Sequence, residues 1–126
     1  MLTEDVRALL EAGSALIVGL TRPDGLPHAT RGYGLSLDPD ATTATLLVGA
    51  TESTTLALAP GAEPRVPIAV TAADVLTLAS VQVKGVLLGV EAAGPEDLAR
   101  KDRYCDEFCA AIQRVDGISA ELAERW

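Results

Sequence analysis

The chain has 126 residues, 48% of them hydrophobic and only 3% aromatic, with a net charge of −8 and a pI near 4.5. That is the size of one domain with a single core, and the core must be built from Val, Leu, Ile and Ala, which suit a sheet. Ten scattered basic residues against eighteen acidic ones argue against nucleic acid or an anionic membrane surface as partner, because both attract clustered cations.

Thr3 is placed to cap a first helix over 3–12, with Glu4 and Asp5 at its positive end and Val6, Leu9 and Leu10 on one face. Gly13 reads as its stop. Ser14 to Thr21 reads as a buried strand. Its apolar run, Ala15 to Leu20, covers six residues, far below the roughly 20 of a membrane-spanning helix. The acidic start Met1-Leu2-Thr3-Glu4-Asp5 is unlike a signal peptide, which predicts a cytoplasmic protein.

Pro23-Asp24-Gly25 is turn chemistry, so the next strand, Leu26 to Leu37, returns as a hairpin. On one face of it lie Ala29, Arg31, Tyr33, Leu35 and Leu37, with Gly32 and Gly34 on the other. A guanidinium keeps its charge, and burying it without a partner is costly. Two readings stand. Arg31 sits at a rim and pairs with a carboxylate, the glycines relieving twist or forming a bulge. Or the strand is built for an anion or planar ligand that approaches the glycines closely.

Asp38-Pro39-Asp40 makes the next turn and Ala44 to Ala50 a third strand. Thr51 to Ala59 reads as a loop entering a short helix capped by Ser53 or Thr54 and closed by Pro60-Gly61. Its hydroxyls serve either as caps or as phosphate ligands. Arg65 to Thr71 is a fourth strand, which Pro67 assigns to an edge or a bulge. Leu78 to Ala92 is a long strand, polar at Ser80, Gln82 and Lys84 and apolar at Val86, Leu88 and Val90 on the same face. Either the strand end is exposed, or it lines a cleft or partner surface. Pro95 opens a helix running to about Val115, Asp116-Gly117 breaks it, and an amphipathic segment ends at Trp126. Hairpin turns predict an antiparallel, mainly β fold closing toward a barrel. The domain is a single one over 1–126, with a C-terminal helical region over 95–126.

No Ser–His–acid, P-loop, dinucleotide-binding or paired zinc motif occurs. No residue is assigned a catalytic or metal-binding role. Cys105 and Cys109, four apart on a helix, read as buried thiols. With one histidine, His28, an enzyme of this sequence would take its chemistry from a cofactor.

Three stretches resemble the pyridoxamine 5′-phosphate oxidase-like, FMN-binding split-barrel family: Asp24 to Gly34, Thr51 to Ala59, and Ser80-Val81-Gln82-Val83-Lys84-Gly85. Element order agrees over about residues 3 to 115. The resemblance implies a six-stranded antiparallel split barrel of Greek-key type, a homodimer, FMN between subunits, and oxidoreductase activity on a small-molecule ligand. Arg31 matches the flavin-facing strand position, and Gln82 a flavin-contacting one. Ser53, Thr54 and Thr55 match the phosphate-holding stretch, which here lacks the family's usual base. Arg31 and Lys84 are the cations that would compensate. The alternative is a flavin-free split-barrel dimer that binds another small molecule or serves a structural or regulatory role. Apolar surface left by a small barrel also predicts a twofold partner.

Overall fold

The protein is described by a computed structural model over residues 2–58 and 66–116. Along the chain come helix α1 (Glu4–Glu11), strands β1 (Ala15–Thr21), β2 (Pro27–Leu37) and β3 (Ala44–Val48), helix α2 (Glu52–Leu58), strands β4 (Val66–Ala73) and β5 (Ser80–Leu87), and helix α3 (Pro95–Asp116). All strand pairs are antiparallel, in the order β3-β2-β1-β4-β5. The mainly β expectation holds as five strands curled into a half-barrel, with three helices against it. The predicted segment after Gly117 lies outside the described residues, as do Arg65 and Pro60-Gly61.

Local chemistry sets the element ends. The Thr3 hydroxyl accepts from the Val6 amide at 3.4 Å, capping α1. At α3, the Asp97 carboxylate reaches back to accept from the Gly94 amide at 2.9 Å, the reciprocal half of a capping box. The α2 cap is Thr51, not Ser53 or Thr54: its hydroxyl accepts from the Thr54 amide at 3.2 Å. Between β2 and β3, Asp38 accepts from the amides of Thr43 and Thr42 and from the Thr42 hydroxyl. The Thr43 amide, with the Thr42 contacts, holds the Asp38 carboxyl below its usual value.

The inner sheet face carries Leu16, Val18 and Leu20 of β1 opposite Ala72, Val70 and Ile68 of β4. Leu10 of α1 and Ala57 of α2 join these residues in one core with Tyr104, Phe108 and Ile112 of α3. The three α3 residues recur every four positions, the single buried stripe of an amphipathic helix. Pro67 stands in an interior strand, not at an edge. It is accommodated because β1 pairs β4 only from Ile68 onward, so β1 takes no hydrogen bond from position 67.

The final strand is shorter than its pattern suggested. It ends at Leu87, and 88–94 has no regular structure. Its hairpin with β4 turns on Asp74, whose carboxylate accepts from the amides of Leu76 and Thr77. The turn closes through Leu78, held at φ +64° and 81% exposed. A leucine in this left-handed region is strained. With little packing to lose, Leu78→Gly is expected to stabilise the fold by about 1 kcal/mol. Denaturant midpoints of the two proteins test this, and an unchanged or lower midpoint refutes it.

Candidate functional site

Strand register arranges the outer sheet face in rows. Arg31 of β2 stands opposite Ile17 of β1, Ile17 opposite Thr71 of β4, and Thr71 opposite Gln82 of β5. Directly opposed residues share a face, so Arg31 and Gln82 lie in one transverse row, about 14 Å apart at the usual strand spacing. The next row on this face runs Ala29, Gly19, Ala69, Lys84. Two alanines and a glycine make that row a flat shelf with a lysine at its end. Ile17 is 47% exposed, and Gln82 and Lys84 are also exposed. The Gln82 side-chain amide donates to the Thr71 hydroxyl at 3.0 Å.

Arg31 forms the opposite boundary, where α3 crosses β2. Its guanidinium lies 4.8 Å from the Phe108 ring centre and 5.8 Å from that of Tyr33, both within cation–π range. Tyr104 stacks on Phe108 at 5.9 Å. The chain has four aromatic residues, and Tyr33, Tyr104 and Phe108 gather here. Its partly buried charge rests against these aromatic rings. The Tyr104 hydroxyl donates to the Ser14 carbonyl at 2.6 Å. That bond comes just beyond Ile17–Arg31, the last pair of the β1–β2 ladder, and so satisfies backbone where the two strands part. Burial pushes the Tyr104 phenol above its usual pKa, and the nearby Arg31 charge opposes the shift.

The hydroxyl-rich segment falls elsewhere. Ser53 and Thr55 are exposed, while Thr54 is 1% exposed. The Thr51 hydroxyl donates to the Thr54 hydroxyl at 3.0 Å, and Thr54 lies 3.1 Å from His28 Nε2. His28 pairs with Leu20 and therefore faces inward. The six predicted site residues thus form two groups within one chain. Arg31, Gln82 and Lys84 share the outer face. Ser53, Thr54 and Thr55 belong to α2, which meets the inner face through Thr54 and His28.

Thr54→Val keeps the side chain's shape but strands the Thr51 hydroxyl and His28 Nε2, at an expected cost of about 1–3 kcal/mol. Equilibrium unfolding measures it, and an unchanged midpoint would remove this hydrogen-bond chain from the account of stability.

Cys105 and Cys109 are partly buried on α3, and no group of three or more metal-binding side chains occurs among the described residues. Sequence reasoning missed Tyr104 and Phe108 as partners of Arg31. Their four-residue spacing was readable as a helix stripe, but not the strand it would meet. No family model, curated protein or solved structure matches this chain.

Proposed function

We propose that this chain is a flavin-binding protein of the pyridoxamine 5′-phosphate oxidase-like kind, a cytoplasmic homodimer that holds FMN for oxidoreductase chemistry. The observation that carries this reading is the outer-face shelf: small side chains at Ala29, Gly19 and Ala69, bounded by Arg31 on one side and by Gln82 and Lys84 on the other. A planar ring can lie on such a floor, Gln82 can hydrogen-bond its edge, and a cation at either end of the shelf, Arg31 or Lys84, can answer the charge of a phosphate, roughly −2 near neutral pH. When bound, FMN would supply the redox chemistry that the side chains lack.

The separation of the two residue groups supports the dimer. A ligand that reaches both the shelf and Ser53–Thr55 needs them from two chains. Ile17, Val86, Leu88 and Val90 are exposed apolar residues available for such a contact. The sixth strand of a split barrel belongs to this proposal as well.

The test is titration of the purified protein with FMN, read by flavin fluorescence and visible absorbance, together with sedimentation. Expected are saturable binding, a dimer, and about tenfold weaker binding for Lys84→Ala, the loss of one charge-assisted contact. Absence of saturable binding would sink the flavin reading. Thr54 favours the second reading, a flavin-free dimer with another ligand or a structural role. Its hydroxyl is buried and already engaged, and Glu52 sets an acidic charge in the first turn of α2. A thermal-shift screen in which FMN is silent and another small molecule stabilises would establish that alternative.

A further inference from the structure

A second recess, independent of the flavin reading, lies where α3 crosses the bulged part of β2 beside the end of α1. Its volume is about 180 Å³, room for on the order of six water molecules. The β2–β3 register slips by one between Gly32 and Leu35, and Gly34 there has φ +131°. Side chains rarely adopt that conformation, so the floor beside Leu35 and Ser36 stays low. From α3, Arg100, Arg103 and Glu107 line the recess, and Glu11 of α1 closes it.

The charges are sorted by position. A β-carbon at Gly34 would lie 3.9 Å from Arg100 Cγ, whereas one at Gly13 would press against Glu107 Cβ at 2.5 Å. Arg100 therefore meets the recess at the strand bulge and Glu107 at the α1 corner, on the side where Glu11 closes it. Glu11 is fixed there, accepting from Arg7 Nε at 2.9 Å and from the Leu37 amide at 3.2 Å. Arg103 and Glu107 are one turn apart, yet form no ion pair among the described residues. Arg100 has only a long contact to Asp97, at 3.5 Å. One helical turn separates the two charge signs by about 6 Å along the axis.

We infer that this recess binds a small zwitterion whose charges stand several atoms apart, an ω-amino acid, with its carboxylate at Arg100 and Arg103 and its ammonium at Glu107 and Glu11. Simple anions meet the glutamates, simple cations meet the arginines, and an α-amino acid carries both charges on one carbon.

The experiment is titration of the full chain with γ-aminobutyrate, followed by backbone amide NMR, against glycine, acetate and methylammonium at equal ionic strength. Expected are saturable shifts at Gly34, Leu35 and Ser36 with γ-aminobutyrate, and weaker binding of the other three. Arg103→Gln and Glu107→Gln should each weaken γ-aminobutyrate about tenfold, while Arg114→Gln on the same helix leaves it unchanged. Both test positions are exposed, so the variants should fold, and the amide spectra verify this. No saturable shift, equal binding of glycine or acetate, or equal effects of all three substitutions would overturn the inference. A chain that fails to bind FMN leaves it standing.

Discussion

Phe108→Ala should destabilise the protein by about 3–5 kcal/mol, the usual cost of truncating a buried phenylalanine to alanine. Phe108 is 7% exposed and belongs to the stripe by which α3 joins the core. Part of the loss is specific to Arg31. The guanidinium sits 4.8 Å from the ring centre, and a cation–π contact of this partly buried kind contributes about 1 kcal/mol. A double-mutant cycle with Arg31→Met separates that share from simple packing. The expected coupling is about 1 kcal/mol by denaturant unfolding. Phe108→Leu, which restores apolar volume without a π face, should recover much of the stability but none of the coupling. A coupling of zero would mean that Arg31 and Phe108 are merely neighbours.

Gly13→Ala is the second large effect expected, about 3 kcal/mol. An added β-carbon would stand 2.5 Å from Glu107 Cβ, 2.8 Å from the Glu107 carbonyl carbon and 2.8 Å from the Phe108 nitrogen. Two of these atoms are backbone, so no rotamer change relieves the clash and α3 itself must shift. Gly89→Ala is the control, because nothing lies within 4 Å of that position. If both substitutions leave the unfolding midpoint unchanged, the close approach of α3 to the α1–β1 corner is wrong. The same shift would disturb Tyr104 and its bond to Ser14, so near-ultraviolet circular dichroism should change along with stability.

Gly13 also shows how far the sequence could be read. It was legible as the stop of α1, and α1 does end there, with Ala12 as an extended cap. Yet the glycine is required by a helix almost a hundred residues later, and no local pattern announces that. Gly34 is the converse. A glycine inside a strand suggested a bulge or a close approach, and it marks the slip in the β2–β3 ladder. Thr51 looked like one of several hydroxyls, and only the hydrogen bond to the Thr54 amide identifies it as the cap.

Most of what neighbours in the chain govern was legible in the sequence, the α2 cap at Thr51 and the end of β5 at Leu87 being the exceptions. Alternation marked the strands, turn residues set the hairpins, and caps placed α1 and α3, because side-chain direction repeats at two residues in a strand and 3.6 in a helix. Tertiary structure alone decided which faces meet. Arg31 and Gln82 come into one row through two intervening strands, while α3 brings aromatic rings to Arg31 and charges to the bulge at Gly34. Such contacts depend on strand order, register and helix docking. Those are fixed by burial of the whole core, so residues distant in sequence acquire their chemistry only when it closes.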